Sequence, residues 1–440
     1  MARWLCILVA LARVAVADSM SPADASRKSE RSHVTGLPLF AYSVDFGYGA
    51  GGRAYYYWNG TRDDPRFART PYLLRSFVSV FATTSGLHYY TLDIDAPAVF
   101  DSPYRIRSQL VLLRNIDASY FGFTEASRRT LRFPGVDKDF GSYADYREAQ
   151  RRIVDGVTYD RYDRYDLLRP AALASLERSL LDGRMRLLVG VTASWARVED
   201  YTGKQVDAVS ESGASTSAPS AATRLREDCD RGVLVGCGGG RDNLMRLAVS
   251  YDTRDFEPDP NCGVYADLAI DVATAALGSE YDYVRGLVTV RGFYSPFPEH
   301  ADLVLAGRMF LHVQSAGTPV FTMDVLPFVE DARTGLGGHR TIRGYRQSRF
   351  VDHVMTAASG EVRWTFARTT IRRQKLAFIA VPFFDVGRAF DGLSDLGLQG
   401  FRPGAGGALR VSWNLATLGT FEYARSLEGT GVYVNFGHMF

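Results

Sequence analysis

Three features of the 440-residue sequence predict an all-β fold, a transmembrane antiparallel β-barrel of sixteen strands. Apolar and polar residues alternate with period two, the alternating runs reach about ten residues or more, and Tyr and Trp gather near their ends. In GVYADLAIDV, Val264, Ala266, Leu268, Ile270 and Val272 fall on one face, while Tyr265, Asp267 and Asp271 fall on the other. RMRLLVGVTASW, DLVLAGRMFLHVQ and EVRWTF repeat the pattern. A soluble sandwich alternates as well, but its strands run to about five or six residues. Aromatic clusters such as RAYYYWNG, HYYTLD and EYDY fit the girdles that a barrel places at the two membrane interfaces. With 51 basic against 49 acidic side chains, the formal charge of +2 gives no field that would argue for nucleic acid.

The elements follow in chain order. Arg3, the apolar run Trp4 to Ala12 and the small residues Ala15-Val16-Ala17 read as a signal peptide over 1–17, cleaved before Asp18. Cys6 lies too early to be a lipidated cysteine. No later run approaches the roughly 18 apolar residues of a spanning helix. A short periplasmic segment over 18–36 and a barrel over 37–440 are expected. Strands are expected near 38–48, 51–59, 71–84, 86–95, 104–123, 159–181, 184–198, 244–253, 263–273, 282–294, 301–315, 356–367, 376–388, 402–414, 418–426 and 431–440. An even count places both termini on the periplasmic side, together with tight turns such as Asp182-Gly183. The long excursions 124–158, 199–243 and 316–355 then all become extracellular.

The first excursion contains SYADYREAQRRI, which suits a short helix or an irregular hydrated lobe, and the sequence does not rank the two. The second holds the Ser/Ala-rich tract VDAVSESGASTSAPSAATRL, expected to be mobile. Cys229 and Cys237 flank DRGVLVG and are expected to close a small disulfide in an oxidising compartment, leaving Cys262 as a free thiol.

Two Arg-Gly-aromatic segments compete for attention. Arg291, in YDYVRGLVTVRGFY, sits on the polar face of an alternating run and reads as a lumen-facing strand residue. Arg343, in TGLGGHRTIRGYRQSRF, belongs to the third excursion, among glycines and without alternation. The second region resembles a known family. SYDTRDFEPDPNCGVYADLAI, GGHRTIRGYRQSRF, FFDVGRAF and GVYVNFGHMF are similar, in order and spacing, to the bacterial surface antigen barrel of the BamA/TamA outer-membrane assembly and translocation superfamily, over 250–440. The resemblance implies that the loop carrying Ile342, Arg343, Gly344 and Tyr345 folds into the lumen, where Arg343 meets Asp385 and Glu361. A buried guanidinium needs carboxylates to offset its desolvation, and its planar fork suits bidentate contact. The alternative is that both acids are ordinary lumen charges solvated by water. KLAFIAVPFFDVG supports the folded-in loop independently: it is apolar on both faces, so protein must cover its inner side.

The terminal GVYVNFGHMF sets Val432, Val434, Phe436, His438 and Phe440 on one face. This resembles the C-terminal insertion signal of outer-membrane barrels and also suits a lipid-facing last strand. The 18–36 segment is too short for the periplasmic POTRA modules of the assembly factors. GCGGGR lacks the Lys-Ser/Thr of a phosphate loop, no Gly-x-Ser-x-Gly elbow occurs, and the seven histidines show no ligand spacing, so no enzyme activity, cofactor or metal is expected. The expected setting is the bacterial outer membrane. Its lipid and, during the chain's own insertion, the barrel-assembly machinery are the partners, with a monomeric state and no identified client. Three functions remain in view: insertion or translocation through a weak seam between the first and last strands, a loop-gated pore for polar solutes, and a structural or surface-interaction barrel.

Overall fold

Sixteen strands build the wall. The computed structural model describes residues 30–440 apart from 65, 68–69, 71, 124, 256–258, 298–301, 331, 372–373 and 414–416, so the expected signal peptide at 1–17 and the part of the next segment up to residue 29 lie outside the described residues. The strands are β1 (Ser32–Ser43), β2 (Gly47–Trp58), β3 (Leu74–Thr83), β4 (Leu87–Ala96), β5 (Tyr104–Ser119), β6 (Arg164–Leu180), β7 (Met185–Asp200) and β8 (Leu244–Asp252). They continue as β9 (Gly263–Ala273), β10 (Tyr283–Tyr294), β11 (Leu303–Gln314), β12 (Val354–Ile371), β13 (Gln374–Phe390), β14 (Arg402–Trp413), β15 (Thr417–Ser426) and β16 (Thr430–Phe436). Each pairs antiparallel with its sequence neighbour, and β1 meets β16 to close the cylinder. No helix among the described residues is long and apolar enough to cross a membrane; the strands do the crossing.

Alternation sorts the two faces. On β9, Tyr265, Asp267, Ala269 and Asp271 are buried on the inner side, while Val264, Leu268 and Ile270 are exposed on the outer side, as lipid contact requires. The long connections, 120–163, 201–243 and 315–353, all leave from the end opposite the termini. In the first, the helix Tyr143–Arg151 forms, capped by the Ser142 hydroxyl, which accepts from the Ala144 N–H at 3.2 Å. Its Tyr146 packs with Phe133 and Phe140.

Two local expectations change. The first hairpin turns at residues 44–46, so β1 starts at Ser32 and stops at Ser43 rather than running over 38–48. The Ser43 hydroxyl accepts from the Phe46 N–H at 3.1 Å, and Gly47 takes a left-handed φ of 66°. The Ser/Ala-rich tract, expected to be mobile, instead pairs as the hairpin Gln205–Val209 with Ser215–Pro219, because Ala208 and Ala218 alternate onto its buried face.

The third long loop does not stay outside. Leu326, Phe328, Leu336, Ile342, Tyr345 and Phe350 are buried in one cluster with the wall residues Leu287, Phe310, Met355 and Ala389. Burying aliphatic and aromatic side chains of this size yields roughly 1.5–3 kcal/mol each, which opposes the entropy of ordering the loop.

Candidate functional site

The loop tip is folded on itself before it touches the wall. Leu336 and Phe350 exchange backbone hydrogen bonds, the Gly338 N–H donates to the Tyr345 carbonyl at 2.9 Å, and the Thr341 hydroxyl accepts from the Gly337 N–H at 2.9 Å. Arg343 projects from this tip, fully buried. Its Nε donates to Asp385 Oδ2 at 2.8 Å and its Nη2 to Asp385 Oδ1 at 3.0 Å, the bidentate fork that a guanidinium makes with a carboxylate. The Arg343 backbone N–H adds a third bond to Asp385, at 3.1 Å. Nη1 donates to Glu361 Oε1 and to Glu422 Oε1, both at 3.0 Å. The guanidinium plane lies over Phe383, 3.3 Å from the ring centre. Burial pulls the arginine pKa down, but Asp385, then Glu361 and Glu422, outweigh it and hold the group above its ordinary value.

The expected set, Arg343 with Asp385 and Glu361, is therefore one site. The sequence reading missed Glu422 and two further arginines. Arg410 on β14 makes paired bonds to Glu361 at 2.9 and 2.8 Å, and Arg363 on β12 donates to Glu361 Oε2 at 3.0 Å. Three guanidinium groups thus face three carboxylates, and their formal charges cancel. Glu422 was findable: Thr420, Glu422 and Ala424 alternate against Phe421 and Tyr423, which marks it as a lumen residue.

Glycine lets backbone meet backbone here. A Cβ on Gly404 of β14 would stand 2.2 Å from the Arg343 carbonyl oxygen. Gly344 has φ 96°, and a Cβ there would stand 2.9 Å from the backbone of Arg425 and Ser426. The apolar inner face of β13 is covered as expected at Phe383, by Arg343. Lower down, Ile379 and Val381 are instead buried in a wall cluster with Ala408, Ala424 and Tyr433.

Just beyond Arg343 the same loop reaches the seam. Only Tyr42↔Val434 and Ser43↔Tyr433 pair between β1 and β16, two positions against twelve between β1 and β2 and seven between β15 and β16. The loop holds both edges there. The Gly344 N–H donates to Tyr433 Oη on β16 at 3.1 Å, and the Gln347 N–H donates to Asp45 Oδ1 in the β1–β2 turn at 3.0 Å. Arg346 donates to the Val44 carbonyl. Arg349 forks onto Glu428, in the β15–β16 turn, with two bonds of 2.8 Å.

The C-terminus departs from expectation. Phe436 is exposed on the outer face, but His438 and Phe440 do not share it. Gly437, at φ 91°, ends the strand, and the chain turns into the lumen. There His438 lies 2.8 Å from Asp259 and 2.7 Å from Arg410 Nη1, Arg363 donates to the Phe440 carbonyl at 3.0 Å, and Phe440 packs with Phe293, Val304 and Ala306. Turning inward removes these residues from the edge that would otherwise meet β1. Elsewhere, Arg291 is buried in β10 and donates to Glu330 at 2.5 Å, a wall residue as read. Cys229 and Cys237 form a disulfide, and Cys262 lies outside it.

Fold and site together define a class: sixteen-stranded outer-membrane barrels whose lumen is stoppered by an arginine-anchored loop. The model of the Omp85 superfamily domain matches residues 113–432, and the chain belongs to that superfamily, which places it in the bacterial outer membrane. A domain of unknown function (DUF5982) matches residues 14–73. Among solved structures, BamA from Haemophilus ducreyi lacking POTRA domains 1-3 is similar at 11% identity over 93% of this chain and 70% of that one, with a TM-score of 0.54. CdiB from Escherichia coli is similar at 10% identity over 92% of this chain, with a TM-score of 0.50, and this chain spans 62% of its length. At such identities the likeness concerns the fold alone. No curated protein matches the chain.

Proposed function

We propose that this barrel aids insertion or translocation of outer-membrane polypeptides by opening laterally between β1 and β16. One observation carries the reading: the cylinder closes through two residue pairs, and residues 32–41 of β1 have no partner on β16. An unpaired strand edge is a template for another strand. Pro38, which lacks an N–H, lies within this stretch, as is usual for an edge strand. The resemblance to the BamA/TamA superfamily points the same way, although one fold serves several functions. Because the loop grips both sides of the seam, opening requires that its bonds to Tyr433 and Asp45 part or move together with one edge.

The test is a disulfide across the closed pairs. In a Cys262→Ser background, Tyr42→Cys with Val434→Cys locks the seam under oxidation. Locked barrels are expected to lower the abundance of other outer-membrane barrels in quantitative proteomics, and a reductant is expected to restore it. An unchanged profile in the locked strain, matching that of a strain depleted of the protein, would remove the assembly reading.

A further inference from the structure

The outer wall carries a feature unrelated to the seam or the plug. An apolar groove of about 450 Å³ runs along the membrane-facing side of β6 to β9, lined by Leu176, Leu187, Val189, Leu247 and Ile270. That volume lies within the roughly 300–1,000 Å³ of small-molecule sites. At one end of the groove stand Tyr104 and Arg178. They are register partners on β5 and β6, and the guanidinium lies 5.5 Å from the tyrosine ring centre. Tyr104 is the first residue of β5 and Arg178 lies near the last residue of β6, so this mouth is at the barrel end that holds the termini. Tyr251, near the end of β8, is exposed at the same rim.

Arg178 is out of place on its own row. The exposed positions of β6 run Ala172, Ala174, Leu176, Arg178, and among the described residues no carboxylate pairs with it. Its neighbour Glu177 faces inward toward Arg107. An arginine on the lipid face costs about 2–4 kcal/mol at mid-membrane and little near the interface, so its tolerated position is interfacial, where the available anion is a lipid phosphate. A planar guanidinium beside an aromatic ring is suited to phosphate.

We propose that the groove binds one phospholipid of the leaflet at the terminal end of the barrel, with its phosphate on Arg178 beside Tyr104 and an acyl chain along Leu176, Leu187 and Leu247. The occupant is an amphiphile because the groove is apolar along its length and cationic only at its mouth. It comes from that leaflet because the mouth lies at that interface.

Native mass spectrometry of the full chain tests this, after delipidation in detergent and addition of phosphatidylglycerol. The wild type is expected to retain one lipid. Arg178→Ala is expected to lower that occupancy by about tenfold, the loss of one charge-assisted contact. Leu247→Trp, which fills the groove while leaving Arg178 intact, is expected to lower it as well, and heat-modifiable migration shows that both variants fold. Three results would overturn the proposal: no lipid retained by the wild type, wild-type retention by both variants, or an equal loss in Phe421→Ala on β15, which would mean annular lipid only.

Discussion

Where β12 meets β13, fifteen residue pairs join them; where β16 meets β1, two do. The same loop touches both places. At β12 and β13 its Arg343 adds side-chain bonds to a wall that is paired along most of its length and interrupted only at Val362, Arg363 and Phe366. At the seam its Gly344, Arg346 and Gln347 add bonds to Tyr433, Val44 and Asp45, at the end where the two strands make their two pairs, while residues 32–41 have no partner on β16. The difference separates two roles of one element: it reinforces a wall paired along most of its length, and it adds to the closure at the one end where a barely paired wall meets.

The strongest way to break this contrast is to remove the anchor. Arg343→Ala leaves Asp385 buried without the fork that fills both its oxygens, a loss of about 3–5 kcal/mol. The urea midpoint of the heat-modifiable band should fall accordingly. Arg343→Lys should recover only part of it, because an ammonium cannot fork, and removing Asp385 as well should regain some stability. A wild-type midpoint in Arg343→Ala would mean that the cluster does not hold the loop. Next in size, Gly344→Ala forces a left-handed residue against the backbone of Arg425 and Ser426 and should cost about 1–3 kcal/mol. Tyr433→Phe sharpens the contrast further. It removes the acceptor of the Gly344 N–H, worth about 1 kcal/mol. Amide exchange should quicken across 32–43 and stay constant in β13, and equal acceleration in both strands would contradict a seam held by the loop.

The smallest effect is titratable. His353, where the loop rejoins the wall, stands 3.6 Å from both Asp352 and Asp391. Asp352 above all raises its pKa over the ordinary 6.5. A raised folded-state value means that this contribution is complete below 6.5 and is lost as pH climbs through the higher folded value. Because the group is partly exposed, the loss should stay under about 1 kcal/mol. Urea midpoints taken between mildly acidic and mildly alkaline pH should therefore fall slightly more for the wild type than for His353→Ala; parallel curves would assign the residue no such part.

Much of the wall was readable because period-two alternation is local: β9, β10 and β15 state their inner and outer faces residue by residue. The first turn was not. Tyr42, Val44, Phe46 and Tyr48 continue the alternation straight through it, and its Asp45 is held by Gln347, some three hundred residues away in sequence. Alternation also misled at the C-terminus, where Gly437 bends the chain before His438 and Phe440 can follow Phe436 outward. Of the charged cluster, Arg343, Asp385 and Glu361 came through the family resemblance. Arg363 and Arg410 are ordinary inner-face residues until strand register brings them beside Glu361.

The carboxylates around Arg343 come from β12, β13 and β15. The last of these, Glu422, lies on β15, in the hairpin that closes onto β1, so the set exists only once that hairpin has joined the wall. Until then the loop has an incomplete socket. Seating of the stopper thereby reports that the final hairpin has arrived, and the barrel carries its own proof of completion in the sequence of its assembly.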